Sequence, residues 1–385
     1  PAGSWSAEGV SLPQQAAAGG GAWVQLPRQH GSCSVPLRRE PGMASCAAQP
    51  RQPVVITSLG AGAWRLGNGL IDLDVSAAGL MALRDRDGRN QLSSPLQLER
   101  YRDRGEFWDA WDLAADYRSQ PLGVLGTDSL EWLDQGPLVA HLVLRRQLGA
   151  SCMRLDLRLK ADTAWLELIC SINWCQTHEL LRLDLPLATP AVRIAADTSG
   201  GVIERPAEPM TVRERARWEV PVISWFASQS PAPGGGMAVL LDGPQGVDWS
   251  SDRLGISLLR GPTWPDPSAD QGWHRQRLAL MPFSGSWSEA GVPQAAIAFR
   301  EPGWCSALPA ELRQWFPSLP LQLTPVALER HADVCLLKLM NAGSARCRWT
   351  PGADWSVRRD VDSSAADAVV IAPGELVSLV VDQSS

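Results

Sequence analysis

Apolar and charged residues alternate without a break along Met153-Arg-Leu-Asp-Leu-Arg-Leu-Lys160. That period of two gives one buried and one wetted face, which no helix sustains. Flanking runs of similar length, Leu138 to Leu148, Trp165 to Trp174 and Leu180 to Leu187, are separated by turn residues, so the four predict an antiparallel meander. The same texture recurs at Met237 to Leu241, Leu254 to Arg260, Arg275 to Met281 and Ala295 to Phe299. Nearer the N-terminus, Asn68-Gly-Leu-Ile-Asp-Leu-Asp-Val75 alternates, Ala77-Ala-Gly79 turns, and Leu80-Met-Ala-Leu83 returns before the Asp85-Arg-Asp-Gly88 turn; this predicts a hairpin. Helical character is confined to short pieces such as Pro309 to Phe316.

Residues 1–52 are rich in Ala, Gly, Pro, Ser and Gln and lack sustained periodicity, so a loosely structured segment with one or two strands is expected there. A Pro/Trp/Leu-rich passage near 302 to 320 breaks the rhythm, and strands resume at Val334 to Leu339 and Glu375 to Val381. The predicted fold is all-β: the N-terminal segment 1–52, a large antiparallel β-sandwich over 53–303, and a small C-terminal β-sandwich over 304–385. There is no internal repeat of fixed period.

Composition narrows the function classes. The 385 residues suffice for two or three domains with sizeable cores. A net charge of -6 argues against a nucleic-acid partner, which needs clustered basic surface. No apolar run has the length of a membrane span. The eight cysteines (Cys33, Cys46, Cys152, Cys170, Cys175, Cys305, Cys335, Cys347) form no Cys-x-x-Cys pair, and several lie in apolar strand runs, where a free thiol packs as a small hydrophobe. Without a secretory signal at the start, a cytoplasmic location is expected. The chain begins at Pro1 with no initiator methionine, so a segment upstream is expected.

Two segments carry candidate chemistry. Tyr101 to Asp112 sets Trp108 and Trp111 beside Asp109 and Asp112. An aromatic face covers the C–H side of a sugar ring and a carboxylate accepts paired hydroxyls, although the same residues also serve as core aromatics and turn caps. Read as extended, the segment puts Phe107, Asp109 and Trp111 on one face and Trp108, Ala110 and Asp112 on the other. The second segment is Gly261-Pro-Thr-Trp-Pro-Asp-Pro-Ser-Ala-Asp-Gln-Gly-Trp-His274, stiff and sharply turned, with Asp266, Asp270, Gln271 and His274 as acceptors and donors. Asp266, between two prolines, is expected to brace its own turn, and Arg260 to bind carboxylates or carbonyls of the fold. For Asp270 and His274, loop bracing and ligand contact are equally open. His331-Ala-Asp333 has a His-x-Asp spacing that could aim both side chains at one metal, but no third or fourth ligand is near in sequence.

Taken in order, these motifs resemble the C-terminal half of the α-mannosidases of glycoside hydrolase family 38, in the bacterial and cytosolic branch. The residues that carry the resemblance are Asn68-Gly69-Leu70, Phe107 to Asp112, Ile172-Asn173-Trp174 with His178, Gly200 to Pro206, Trp218-Glu219-Val220 with Trp225, Leu258 to Asp266, Asp270 to His274 and Pro373 to Val381. The resemblance implies a galactose-mutarotase-like sandwich. It also implies that the catalytic carboxylates and a zinc site belong to an N-terminal barrel and the helical bundle after it, absent from this chain. On that basis the chain holds no catalytic residue, metal ligand or cofactor of its own. Its expected partners are an α-mannoside and its own N-terminal catalytic domain, with homo-oligomerisation left open. In relatives the loop matching 261–274 reaches toward the barrel and helps close the sugar site, which makes Asp270, Gln271 and His274 the substrate-side candidates there, while Asp109, Asp112, Trp108 and Trp111 are expected to wall the cleft or the seam with the missing barrel. The sequence departs from the family pattern at Cys175-Gln-Thr177, Pro244 to Asp248 and Met281-Pro-Phe283.

The leading expectation is therefore the C-terminal β region of an α-mannosidase, inactive by itself, which shapes or closes the sugar cleft. A stand-alone carbohydrate-binding or scaffolding β protein is the alternative. Sugar epimerisation through His274 and Glu289 is a weaker third.

Overall fold

The computed structural model describes residues 4–27, 32–40, 48–105, 109–231, 234–301, 313–316, 319–320, 322–331, 334–352, 355–360 and 368–383, with backbone alone at 32–34, 40, 313–316, 330, 331, 334 and 383. Two antiparallel sheets dominate. The first runs Ser129–Gln135, Val139–Leu148, Ser151–Lys160, Leu166–Trp174, Gly272–Phe283, Gly236–Asp242, Trp225–Gln229, Arg193–Thr198, Gly201–Pro206. The second runs Pro121–Val124, Gln97–Arg102, Glu179–Pro186, Arg253–Leu259, Gly246–Ser250, Val220–Pro221. Alternation places Leu155, Leu157, Leu159, Leu168, Cys170 and Ile172 of the nine-stranded sheet in one apolar cluster with Leu181, Leu183, Leu185, Leu254 and Ile256 of the six-stranded sheet. Each of these is almost wholly removed from water, and their burial is the main force holding the layers together. The predicted hairpin is present as Asp72–Ser76 and Gly79–Arg84 in a four-stranded sheet with Val55–Gly60 and Ala63–Gly67. Its Leu73, Val75, Leu80 and Leu83 join the same core.

The predicted meander holds for three strands and then breaks. Val139–Leu148, Ser151–Lys160 and Leu166–Trp174 pair in succession, but Glu179–Pro186 crosses to the six-stranded sheet between Gln97–Arg102 and Arg253–Leu259. The long strand Gly272–Phe283 takes the vacated edge beside Leu166–Trp174. Alternation fixes which face of a strand is apolar and leaves its neighbours undetermined. The face of Ser151–Lys160 read as wetted is also partly covered. Asp156 is buried between His141 Nε2 at 2.6 Å and Arg154 at 2.6 Å. Buried Glu167 collects Lys160 at 2.8 Å, Arg277 at 3.0 Å and Arg158 at 3.6 Å.

Ala295 to Phe299, expected as a strand, lies in the helix Val292–Arg300. Val292, Ala295, Ala296 and Phe299 sit at helical spacing and pack on Trp225, Leu240, Ala279 and Phe283 behind the nine-stranded sheet. Conversely, Arg313–Phe316, expected as helical, is a strand paired with Ser32–Ser34, the rest of that prediction (309–312) lying outside the described residues. Among its described residues the N-terminal segment holds six short strands instead of one or two, from Ser4–Ala7 to Leu37–Glu40. Distant contacts that periodicity cannot reveal fasten it: Gln15 Oε1 accepts from Leu138 N at 2.9 Å and Val139 N at 2.8 Å.

Toward the C-terminus, Leu323–His331, Val334–Asn341, Leu376–Gln383 and Trp355–Arg359 form a four-stranded sheet, with Cys347–Trp349 and Val369–Ile371 as a two-stranded one. Leu337, Leu339, Trp349, Val357, Ile371 and Leu379 make a core of their own between them. Among the described residues, no helix is long and apolar enough to cross a membrane.

Candidate functional site

Three strand ends meet at one corner of the six-stranded sheet because Gln97–Arg102, Glu179–Pro186 and Arg253–Leu259 are neighbours there. Asp103 N donates to the His178 carbonyl at 2.9 Å, and His178 N donates to the Gly261 carbonyl at 2.7 Å. Gly261 has no room for a side chain: an added Cβ would lie 2.2 Å from the Gln176 carbonyl oxygen.

Arg260 organises the corner. Its Nε donates to Asp103 at 2.6 Å, its Nη2 to the carbonyls of Asp109 and Asp112 at 2.8 Å each, and its Nη1 to that of Ala110 at 3.4 Å. A forked, permanently charged guanidinium can hold several carbonyls of one tight turn in this way, and the turn is what those contacts require. Residues 109–111 are accordingly a turn, which corrects the expectation of an extended segment with alternating faces. Asp103 is buried, and its second oxygen accepts from Ala114 N at 2.9 Å.

The turn and the 261–274 loop grip each other. Asp109 Oδ2 accepts from Thr263 N at 2.7 Å and Trp264 N at 3.2 Å. Two indoles are displayed as a result. Trp111 and Trp264 meet edge to face with centroids 5.5 Å apart at 66°, yet remain 65% and 52% exposed. Trp273, where the next strand begins, is 72% exposed. Large aromatics held this open on a braced scaffold are binding surface more often than core.

The remaining candidates brace the loop. Asp270, in the left-handed region at φ +62, accepts from Arg260 N at 3.1 Å. Gln271 Nε2 donates to the Gln176 carbonyl at 2.9 Å, and His274 Nε2 to the Asp270 carbonyl at 2.8 Å. Asp112 accepts from Leu113 N at 2.9 Å. Asp266 accepts from Ser268 Oγ at 2.7 Å and Ser268 N at 2.9 Å, and these bonds hold its carboxyl below the usual range. The corner thus unites Asp109, Trp111, Asp112 and Asp270 around Arg260, whereas Gln271 and His274 share the loop with their bonded nitrogens turned to backbone. Trp108 lies outside the described residues. Glu289 accepts from Ser286 Oγ at 2.8 Å within its own turn, and no described contact joins it to His274.

Sequence reasoning passed over His178 and Thr263 as site residues. His178 Nε2 lies 3.2 Å from Thr263 Oγ1, and its Nδ1 faces Asp109 Oδ1 at 3.7 Å. Both of those facing atoms are buried without a hydrogen-bond partner, so an imidazolium here would meet a carboxylate directly. The only signal in the sequence was a histidine in a turn between two strands. Metal ligation finds no support in the donor set: among the described residues, no three His, Cys, Asp or Glu side chains group around one point. His141 has Asp134 at Nδ1 and Asp156 at Nε2, on opposite edges of its ring. Asp333 and the side chain of His331 lie outside the described residues.

A second charged cluster lies further along the same sheet. The fully buried Arg182 side chain bonds Asp248 and reaches Ser257 Oγ at 2.6 Å and Glu219 at 3.3 Å. Arg253 holds Asp248 at 2.8 Å and Asp184 at 3.0 Å. Tyr117 lies under the Arg118 and Arg182 guanidiniums, 5.1 and 5.6 Å from its centroid, and burial pushes its hydroxyl up to about 12. Burial alone would raise the Asp248 carboxyl, but Arg182 and Arg253 outweigh it and hold that group at about 2.

The sequence model of the glycosyl hydrolases family 38 C-terminal domain matches residues 66–268, a span that contains Arg260 and the 109–112 turn and ends inside the loop, before Asp270. Human alpha-mannosidase 2C1 is 29% identical over 306 residues, covering 74% of this chain and 29% of that protein. Alpha-mannosidase G of Dictyostelium discoideum is 29% identical over 212 residues, 54% of this chain and 19% of that protein. The chain therefore spans under a third of the length of these relatives. In fold it is similar to an alpha-mannosidase from Enterococcus faecalis V583 (TM-score 0.65, 13% identity, 86% of this chain and 42% of that one). It is also similar to a glycosyl hydrolase family 38 protein from Enterococcus faecalis (TM-score 0.70, 14% identity, 90% and 46%). The family match over more than half of the chain, on an all-β fold of the same kind, establishes that this chain belongs to glycosyl hydrolase family 38, of which it carries the C-terminal domain.

Proposed function

We propose that this chain is the C-terminal β region of an α-mannosidase that hydrolyses terminal α-mannosides. In this reading a retaining mechanism is carried by carboxylates and zinc on an N-terminal barrel, in the cytoplasm, and the Arg260 corner walls the sugar cleft or the seam with that barrel. The observation that carries it is the Trp111–Trp264 pair, exposed on a braced turn inside the matched span. Indole faces suit the C–H side of a sugar or an interdomain seam, and such seams commonly hold binding clefts. Asp109, Asp112, Asp270, Gln271 and His274 act here by fixing where those faces sit, and, Asp109 apart, by turning their remaining acceptor and donor capacity to the glycan. The division at 52/53 and 303/304 belongs to the same proposal, supported by the separate C-terminal core.

The test is direct. Residues 1–385 alone should cleave no aryl α-mannoside, with or without zinc, while a protein joining the chain to its upstream barrel should cleave it and lose kcat/KM on Trp111→Ala with Trp264→Ala. Turnover by the chain alone defeats the proposal. The exposed indole pair equally suits a free-standing carbohydrate-binding protein. In-frame coding sequence upstream of Pro1 that includes a His-x-Asp strand favours the enzyme, and a start codon close by favours the binding module.

A further inference from the structure

A cleft of about 690 Å³ opens where both large sheets end, between the edge strands Gly201–Pro206 and Val220–Pro221, and it shares no lining residue with the Arg260 corner. Two arginines line it, Arg205 and Arg217. Neither side chain makes a hydrogen bond or ion pair with a described residue, although Arg205 lies over the Trp249 ring at 5.9 Å. Arg205 Nη1 is closed off from solvent and has no acceptor. Burial, and then the neighbouring Arg217 charge, push the Arg205 guanidinium down from its ordinary range, and both arginines line one space.

The carboxylates of the wall are already engaged. Asp197 accepts from the backbone N–H groups of Ile223 at 2.9 Å, Ser224 at 2.9 Å and Trp225 at 3.3 Å, and from the Ser224 hydroxyl. Glu219 is turned to Arg182 and Ser257 in the buried cluster. Edge strands leave backbone groups unpaired on their outer sides, and the Gln245 amide lines the cleft as well. A paired arginine would need no ligand. An unpaired one, partly desolvated beside a like charge, gains most from an anion with several acceptor oxygens.

We infer that this cleft binds an oxyanionic group, a phosphate or a carboxylate carried on a small polar molecule, through Arg205 and Arg217. The site is independent of the mannosidase reading and lies outside the chemistry assigned to the corner.

Calorimetric titration of the full chain with inorganic phosphate, glucose 6-phosphate, glucuronate and uncharged glucose tests it. Saturable binding of at least one anion is expected, with none for glucose. Binding of the two phosphates alone assigns a phosphoryl ligand, and binding of glucuronate assigns a carboxylate. Arg217→Gln removes an exposed side chain and should leave folding intact while weakening the anion by roughly tenfold, and Arg217→Glu should abolish binding. Arg205→Gln should weaken it similarly, and Arg205→Lys should restore part of the affinity. No saturable binding of any of the three anions, or binding that Arg217→Glu leaves unchanged, overturns the inference.

Discussion

Arg182 lies on one strand of the six-stranded sheet and Arg260 directly follows its neighbour, Arg253–Leu259, yet their surroundings could hardly differ more. Arg182 is buried among carboxylates, a hydroxyl and a tyrosine ring. Arg260 has one carboxylate and three main-chain carbonyls of a single turn. The first arrangement turns inward and locks a sheet face. The second shapes a turn and holds two indoles outward. An arginine's partners, more than its presence, therefore distinguish a rivet from a prop.

That contrast is exposed first by removing the rivet. Arg182→Met leaves Asp248 and Asp184 buried beside fewer cations, and the urea midpoint should report a loss of about 3–5 kcal/mol. A loss under about 1 kcal/mol would show that the cluster is solvated in solution and is no rivet. At the corner, Gly261→Ala drives a Cβ into the Gln176 carbonyl; the expected cost is about 1–3 kcal/mol by the same measurement.

Acid sharpens the distinction. The folded Asp248 carboxyl, at about 2, lies below its ordinary 3.8. The stability it contributes is therefore complete above pH 3.8 and is lost as pH falls from 3.8 toward 2. Linkage makes this roughly 2 kcal/mol. Asp248→Asn should flatten the stability profile in that window. Equal slopes for wild type and Asp248→Asn would remove the ion cluster from the account.

Arg260→Lys keeps the charge and loses the fork. Stability should fall by about 1–2 kcal/mol, with faster hydrogen exchange confined to the amides of 109–114 and 263–264. Exchange spread over the whole sheet would mean that Arg260 too is a rivet. The smallest effect is expected for Trp111→Ala, within about 1 kcal/mol, because its ring is mostly exposed. A larger loss would mark the indoles as structural.

Much of the scaffold was legible beforehand. The alternation of Met153 to Lys160 located its strand, and the Ala77-Ala-Gly79 turn located the hairpin, because both signals are local. The helix at Val292–Arg300 was misread for lack of length: a short apolar run fits either period, and what decides is packing on Trp225 and Phe283. At the site, Trp111, Asp109 and Asp270 were recognisable by residue type. His178 was not, since its relevance comes from lying 3.2 Å from Thr263, 85 positions away in the chain.

The sequence by itself determined an all-β chain, the apolar face of most strands and the loop stiffened by prolines, since each follows from the chemistry of neighbouring residues. Tertiary structure alone decided that Glu179–Pro186 leaves its predecessor for the other sheet. That crossing brings His178, Asp103 and Arg260 to one corner of the six-stranded sheet. Strand partners and unmatched charges are set by which surfaces bury the most apolar area together, a sum over the whole chain that no local pattern contains.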